Sequence, residues 1–418
     1  MSRIRRNRGA HRGMMGLIAL VALVGVLEGQ PIEAQGPVKV GFIYPDTGAF
    51  AQAGLDMRDG FLLYWSEAGN KAGGRAVELF LEGKASLRPD EAVTKARKLV
   101  ERDGVHIIGG ILETADAYAL RSYLIEKKMI VMLMGTGAID LTQKHRSEYV
   151  FRSAFSSNDS SHPLGDWAYK QGYRKAVLMA SDLVVGHEMM GSFARTFTDL
   201  GGRIIQEIYP PAAVPDFAPY LAQIRRDADV VSAFFGGSDA IRFITQYAEF
   251  GLTGKIPIIG KGFLTDESIL PRMGDNALGI VTGHQWSAAL DTPTNKRFLE
   301  AYMAKYRRPA SGYAEATYLG SQMISQALET VRGAVENREA FLAALKRVEV
   351  DAPRGRVKLD AYNNVVHPIY IRRVEKKDGI LQNTVIATYP NTNQFWRWTP
   401  DEYMAMPPYP EMKGKWAK

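Results

Sequence analysis

The segment VKVGFIYPDTGAFAQAGLDMRDGF, residues 38–61, decides the fold class of this chain. Its first seven residues form a short apolar run with β-branched and aromatic members, which predicts a buried strand. The residues PDTG at 45–48 predict a loop, and residues 54–68 carry apolar side chains at helical spacing. The segment therefore predicts a strand, a loop and a helix in succession, which is the repeating unit of an α/β protein.

The same alternation continues along the chain in two series. The first series ends near the apolar stretch IVMLM at 130–134, and the second begins with a strand predicted over 176–180. Strands that alternate with helices of this length form parallel sheets that helices cover on both faces. We therefore predict an α/β fold of two doubly wound parallel-sheet lobes with a ligand cleft between them. The sequence also predicts a short helix over 266–273 and late strands over 357–359 and 368–374.

Composition excludes several classes of function. The 418 residues, 46% hydrophobic and 23% charged, indicate a folded protein of two or three domains. The chain has no cysteine, which excludes thiolate catalysis, cysteine-ligated metal sites, disulfides and a lipid anchor on an N-terminal cysteine. The net charge of +7 arises partly from five arginines before residue 13, and the chain beyond residue 35 has 47 basic and 43 acidic residues. This small excess forms no stripe, so nucleic acid is not a predicted partner.

Residues 1–35 have the order of a secretory signal peptide. A basic start is followed by the uncharged apolar run MMGLIALVALVGVL at 14–27 and by a polar stretch with Ala34 near its end. The apolar run is short for a membrane span, which needs about 20 residues. We therefore predict a signal that is cleaved near Ala34 or Gln35 and a mature protein that is exported to the periplasm.

Motifs for common catalytic and cofactor chemistry are missing from the sequence. The loop after the first predicted strand does not match G-x-G-x-x-G, and GLTGK at 251–255 lacks the spacing of a phosphate loop. No G-x-S-x-G motif occurs, and the seven histidines are scattered. We predict no metal, no cofactor and no enzymatic activity.

The chain resembles the type I periplasmic solute-binding proteins of ABC importers, in particular the leucine/isoleucine/valine-binding family. The resemblance covers roughly residues 38–374, and it depends on the order and spacing of segments that are individually weak. These segments are residues 38–61 quoted above, AVTKARKLVERDGV (92–105), VHIIGG (105–110), DVVSAFFGGSDAIRFITQYAEFGL (229–252), IPIIGKGF (256–263) and ATYLGSQMISQALE (316–329).

The resemblance implies a domain organisation and a function. In that family three crossovers join the lobes, here residues 37–153 plus 284–365 and residues 154–283 plus 366–390, with an irregular tail at 391–418. The implied protein is the extracytoplasmic solute-binding component of an ABC uptake system of the branched-chain amino acid type. It closes on a small organic solute by hinge motion and delivers it to a permease in the inner membrane. We expect a monomer.

The resemblance places solute contacts in the loops after the third and fourth strands. Members that bind amino acids carry Ser and then Ser or Thr in the first of these loops, where this chain has Glu113 and Thr114. The Thr114 hydroxyl is suited to a carboxylate, whereas an ionised Glu113 would repel one. The second loop maps onto Gly135, Thr136 and Gly137, which offer a hydroxyl and backbone donors.

Other positions depart from an amino-acid site. Members that bind amino acids place an acidic side chain after a strand of the second lobe to pair with the ammonium, where this chain has Lys261 and Gly262. Tyrosines that are common in those pockets are replaced here by Ala53, Val185 and Ser238. A lysine repels an ammonium and attracts an anion.

Aromatic side chains near these loops suit a planar ligand. We expect Phe50 and Phe263 to contact the solute, and Tyr44, Phe235 and Trp286 are further candidates for stacking. The predicted ligand is a small organic acid without an ammonium group, for example an aromatic carboxylate. Two alternatives stay open: a branched-chain amino acid as the ligand, and a sensor of the same fold without a transport role.

Overall fold

The computed structural model describes residues 36–417, and the predicted signal peptide lies outside this range. Six strands form the first sheet in the order β2-β3-β1-β4-β5-β6. All neighbours pair in parallel except β2, which is antiparallel to β3. The strands are β1 (Val38–Thr47), β2 (Lys71–Ala72), β3 (Arg75–Ala85), β4 (Ile107–Gly110), β5 (Ile130–Leu133) and β6 (Val150–Arg152).

Helices cover both faces of this sheet and complete the first lobe. The long helix α9 packs along α1, and their apolar side chains join those of β1 in one buried cluster that includes Phe42, Phe61 and Met323. Three helices follow the strands of this sheet directly: α1 (Ala51–Glu67), α2 (Pro89–Arg97) and α3 (Thr114–Glu126). Three more come from late in the chain: α8 (Pro293–Tyr306), α9 (Gly312–Thr330) and α10 (Arg338–Lys346).

The second sheet is mixed rather than wholly parallel. Its strands lie in the order β12-β13-β14-β11-β10-β9-β7-β8, and β15 pairs with β14. The parallel part contains β7 (Lys175–Ala180), β8 (Arg203–Ile208), β9 (Val230–Phe234), β10 (Ile258–Lys261) and β11 (Val281–His284). The antiparallel part contains β12 (Glu349–Ala352), β13 (Gly355–Leu359), β14 (Val365–Lys377) and β15 (Ile380–Thr392). The helices on this sheet are α4 (Ser161–Lys170), α5 (Val184–Asp199), α6 (Ala218–Leu221) and α7 (Gly237–Glu249).

Two details differ from the pattern in the sequence. Residues 266–273 form only a 3-10 turn at Leu270–Arg272 instead of a helix. The Asp266 carboxylate accepts a hydrogen bond from the Ser268 backbone N–H at 3.0 Å, a local bond that competes with helix formation. The strand β15 carries no predictive pattern because most of its side chains are half-buried or exposed.

Three connections join the lobes, and the third is a strand. Residues 153–160 lead from β6 to α4, and residues 285–292 lead from β11 to α8. The beginning of β14 pairs with β13, whose Val357 belongs to the core of the first lobe. The rest of β14 pairs with β11 in the second lobe. One continuous strand therefore carries the chain from one lobe to the other.

The C-terminal segment beyond β15 lies against both lobes. It contains one short helix, α11 (Pro400–Ala405), which begins with a capping box formed by Thr399 and Glu402. Gln394 hydrogen-bonds Thr142 of the first lobe, and Arg397 pairs with Asp199 on α5 of the second. Within residues 36–417, no helix combines the length and the apolar character that crossing a membrane requires.

Candidate functional site

A cavity of about 360 Å³ lies between the lobes at the carboxyl ends of the strands of both sheets. This is the position at which open α/β sheets bind ligands, and the volume is in the range of small-molecule sites, about 300–1,000 Å³. The lining residues are Phe50, Leu87, Pro89, Leu112, Glu113, Thr114, Ala115, Gly135, Gly137, Phe155, Asp182, Leu183, Val184, Val185, Met189, Phe234, Phe263 and Tyr313.

Two helices from opposite lobes begin at this cavity. Helix α3 of the first lobe starts at Thr114 and α5 of the second starts at Val184, and both residues line the cavity. Within the described range, no side chain caps the N-terminal N–H groups of either helix. Uncapped N-termini present backbone donors and a partial positive charge, which favour an anion. The N-termini of α3 and α5 therefore make the cavity suited to a negatively charged group of a solute.

Glu113 lines the cavity, but both of its carboxylate oxygens already accept hydrogen bonds from other residues. Its Oε2 atom accepts a hydrogen bond from Lys84 Nζ at 2.6 Å, and its Oε1 atom accepts one from the Leu87 backbone N–H at 2.6 Å. The Lys84 side chain is 1% exposed. The ammonium offsets the repulsion that an isolated carboxylate would exert on an anionic solute.

Asp182, the second acid in the cavity wall, is also paired. Lys413 of the C-terminal segment lies 2.7 Å from its Oδ1 atom, and His187 Nε2 also lies 2.7 Å from Oδ1. Burial works against ionisation of Asp182, but the hydrogen bonds from Lys413 and His187 outweigh it and hold the pKa of Asp182 below its usual value. Among residues 36–417, the cavity therefore offers no unpaired carboxylate to a solute ammonium.

Aromatic rings form much of the remaining wall. Phe263 and Tyr313 stack with their ring centroids 4.0 Å apart, and Phe155 lies 4.9 Å from Phe263. Phe50 enters from the first lobe at the start of α1. The Tyr313 hydroxyl forms no hydrogen bond with any residue of the described range, although its ring lines the cavity. The wall thus offers flat apolar surfaces and one free phenol group to a bound solute.

The two lobes touch beside the cavity at a pair of glycines. Gly236 and Gly237 stand at the start of α7 and face Ala49 and Phe50 of the first lobe. A Cβ atom on Gly236 would lie 3.2 Å from the Phe50 ring, and one on Gly237 would overlap the Ala49 carbonyl oxygen. Gly237 also has a φ of +56°. Glycine at both positions lets the lobes approach this closely.

The structure brings seven of the eleven candidate solute-contact residues to the cavity and places four elsewhere. The seven are Phe50, Glu113, Thr114, Gly135, Gly137, Val185 and Phe263. Thr136 is buried, with its hydroxyl 3.3 Å from that of Thr114. Ser238 is exposed on the first turn of α7. Gly262 packs against the His284 ring, which leaves no room for a side chain.

Lys261 ends β10 and its side chain contacts the first connection between the lobes rather than the cavity. Its ammonium hydrogen-bonds the Ser160 hydroxyl, lies 3.5 Å from Asp159 Oδ1 and is 4.5 Å from the centroid of the Phe155 ring. Burial lowers the pKa of Lys261 to about 8, although Asp159 opposes this shift. Lys261 is therefore buried with a carboxylate of its own, whereas the sequence suggested a cation facing the solute.

Sequence reasoning missed several residues of the wall. Phe155 follows β6 and Phe234 ends β9, so the rule that ligands bind beyond strand ends was the signal that could have found these two. Met189 lies within α5 and carries no such signal. Tyr313 carries no such signal, because it comes from α9, which joins the first lobe late in the chain. Tyr44, Phe235 and Trp286, which the sequence offered as stacking candidates, belong to buried hydrophobic clusters.

Metal binding has no support among the described residues. Residues 36–417 contain no group of three or more His, Asp or Glu side chains arranged to hold an ion.

Comparison with known proteins agrees with this geometry. Residues 37–379 match the family model for periplasmic binding proteins. The Leu/Ile/Val-binding protein homolog 6 of Brucella melitensis is 31% identical over 382 residues, which cover 90% of this chain and 97% of that protein.

Solved structures of similar proteins superpose on the whole two-lobe body. An ABC transporter substrate-binding protein from Sphaerobacter thermophilus is 39% identical, with a TM-score of 0.82 over 86% of this chain and 99% of that chain. A solute-binding protein of an ABC transporter from Rhodopseudomonas palustris BisB5, solved with 3,4-dihydroxybenzoic acid, is 34% identical, with the same TM-score and the same two coverages. The resemblance and the two-lobe fold predicted from the sequence are confirmed. This chain belongs to the periplasmic binding protein family, whose members bind solutes between two α/β lobes.

Proposed function

We propose that this protein is the solute-binding component of an ABC uptake system and that its solute is a small aromatic carboxylate. The observation that carries the proposal is the charge pattern of the cavity. Two uncapped helix N-termini face it, while both of its acids are already paired with cations. An amino acid would leave its ammonium without a carboxylate partner in such a wall, and unpaired buried charge is costly.

The apolar part of the wall selects for a planar ring. Phe155, Phe263 and Tyr313 form one aromatic surface in which Phe263 touches both of the others. The carboxylate would lie at the start of α3, where the Thr114 hydroxyl and the free N–H groups of the first turn are donors. The R. palustris relative, solved with 3,4-dihydroxybenzoic acid, provides independent support for this class of solute.

The protein would act by capture and release without chemistry on the solute. A ligand that bridges the start of α3 in one lobe and Phe263 in the other holds the lobes together. We propose that the closed form is what a membrane permease recognises, and that the mature chain acts in the periplasm as a monomer after removal of residues 1–35.

Isothermal titration calorimetry on the mature protein tests the proposed solute. The panel contains benzoate, 3,4-dihydroxybenzoate, cyclohexanecarboxylate, benzamide and L-leucine. We expect micromolar binding of the two aromatic acids, equivalent to about −8 kcal/mol, and no measurable binding of leucine. Tight binding of leucine with none of benzoate would overturn the proposal in favour of an amino-acid receptor.

Two variants test which residues contact the carboxylate of the solute and which contact its ring. Thr114→Val removes a hydroxyl at the carboxylate end and should weaken benzoate by about tenfold, because charge-assisted hydrogen bonds contribute about 1.5–3 kcal/mol. Phe263→Leu removes the central ring of the aromatic surface and should weaken benzoate more than cyclohexanecarboxylate. Thr253→Val, in a loop away from the cavity, is the matched control for the first variant.

A further inference from the structure

We infer that Lys84, which is buried next to the cavity but does not line it, determines the charge selectivity of the cavity. Its ammonium neutralises the carboxylate of Glu113, which does line the cavity. This inference rests on the proposed function, because it assigns the preference for an anion to one residue that does not itself line the cavity. Lys84 is therefore a specificity-determining residue that acts through a neighbour.

The sheet order places Lys84 next to the solute-binding helix. Lys84 is the next-to-last residue of β3, and Glu113 immediately precedes α3, which follows β4. The strands β3 and β4 flank β1, so their carboxyl ends lie one strand apart. The lysine side chain spans this gap, and its ammonium also donates to the Ala85 carbonyl oxygen at 2.8 Å.

The Lys84 ammonium also forms an ion pair with a second acid, Asp116, in the first turn of α3. Asp116 Oδ2 lies 3.0 Å from Lys84 Nζ, and the other carboxylate oxygen, Oδ1, has no hydrogen-bond partner among residues 36–417. Burial, followed by the repulsion from Glu113, raises the pKa of Asp116 to about 7. One buried cation therefore balances two carboxylates at the point where the solute anion would bind.

Removing the ammonium would reverse the charge preference of this end of the cavity. Glu113 would keep the hydrogen bond from the Leu87 backbone N–H, but its charge would then face the cavity without compensation. A carboxylate solute would be repelled and a neutral one would not. Because the effect depends on charge, it distinguishes an electrostatic role of Lys84 from a merely structural one.

The test compares benzoate with its neutral isostere benzamide in calorimetric titrations at pH 8. For Lys84→Met we expect benzoate affinity to fall by about tenfold or more, as loss of one partner of a buried charge pair does at interfaces, with little change for benzamide. The double variant Lys84→Met/Glu113→Gln removes both charges of the Lys84–Glu113 pair, leaves Asp116 in place, and should recover most of the lost benzoate affinity. Lys296→Met, which breaks an exposed ion pair with Asp291, is the matched control and should bind benzoate as the wild type does.

Each outcome bears on one claim. If the wild type binds benzoate and Lys84→Met loses benzoate and benzamide equally, or if Glu113→Gln fails to rescue it, the inference about Lys84 is overturned while the proposed function stands. If the wild type binds no aromatic acid, the proposed function fails and the inference fails with it. Should Lys84→Met not fold, Glu113→Gln alone carries the test, because it leaves Lys84 with one carboxylate, Asp116, to balance instead of two and should raise the ratio of benzoate to benzamide affinity. An unchanged ratio in that variant overturns the inference.

Discussion

The Tyr118 hydroxyl on α3 of the first lobe donates a hydrogen bond of 2.9 Å to Glu188 Oε1 on α5 of the second lobe. The other carboxylate oxygen of Glu188 accepts from the Ser157 hydroxyl at 2.8 Å, within a connection between the lobes. Burial raises the pKa of Glu188 to about 7, and these hydrogen bonds and the charge of Arg152 only partly oppose the shift. This bond therefore links the lobes through an acid that titrates near neutral pH.

We expect solute affinity to increase as the pH falls from 8 to 6. Opening the lobes would expose Glu188 to water and return its pKa toward 4.5, so the closed form binds more protons in this window and lower pH favours it. The expected change in the dissociation constant of benzoate is about three- to tenfold. Glu188→Gln should reduce this slope and leave the part that Asp116 contributes at the start of α3, whereas Tyr118→Phe, which keeps the acid, should retain the full slope. Equal slopes in the wild type and Glu188→Gln would contradict the assignment to Glu188.

Gly237→Ala should weaken solute binding by impeding closure. An added Cβ would overlap the Ala49 carbonyl oxygen of the other lobe, while the positive φ adds about 1–2 kcal/mol of backbone strain. Gly254→Ala is the matched control, because Gly254 has a φ of +79° but no atom within 4 Å of the added Cβ. Small-angle X-ray scattering with saturating benzoate should show a larger radius of gyration for Gly237→Ala than for Gly254→Ala. Identical values would show that this contact does not limit closure.

Arg354→Met should destabilise the fold by about 3–5 kcal/mol, the range for breaking a buried ion pair. The Arg354 Nε atom lies 2.9 Å from both carboxylate oxygens of Glu315, and both side chains are fully buried. Urea unfolding measures the difference. Arg356→Met, two residues further on in β13 but 67% exposed, should change the free energy of unfolding by at most about 1 kcal/mol. Similar losses in the two variants would refute a special contribution of the buried pair.

Tyr403→Phe should loosen the C-terminal segment from the body. The Tyr403 hydroxyl accepts from Asn158 Nδ2 at 2.8 Å and lies 2.9 Å from His162 Nε2, and all three residues are buried. Loss of these partners leaves buried polar atoms unsatisfied, at a cost of about 1–3 kcal/mol. The melting temperature should fall, and Tyr362→Phe provides the comparison, since the Tyr362 hydroxyl has no hydrogen-bond partner in the described chain. A normal melting temperature for Tyr403→Phe would argue against this anchoring role.

Local pattern was sufficient for the parallel strands and the helices that follow them. The strand predicted over 38–44 is observed as β1 (Val38–Thr47), and the helix predicted over 54–68 is observed as α1 (Ala51–Glu67). The parallel strands can be predicted from the sequence because a strand that is buried on both faces is continuously apolar. The antiparallel strand β15 has no such run, and most of its side chains are half-buried or exposed, so its sequence alone did not identify it.

The sequence alone could not predict which distant charged residues form ion pairs. An isolated Glu113 indicates repulsion of a carboxylate, and only the sheet order reveals that Lys84 lies beside it. In the sequence, Lys261 indicates a cation that would face the solute. In the structure, its ammonium is paired with Asp159, a residue of the first connection. Both cases depend on which segments the fold brings together, and this information is not local.

The strand β14 restricts how hybrid receptors can be assembled from this protein. Its first residues pair with β13, and its later residues pair with β11 of the other lobe. Junctions within residues 153–160 and 285–292 fall between regular elements, whereas the third junction would divide a hydrogen-bonded ladder. A chimera that exchanges one lobe to obtain a new specificity must therefore take β14 together with its hairpin partner β15 from a single parent.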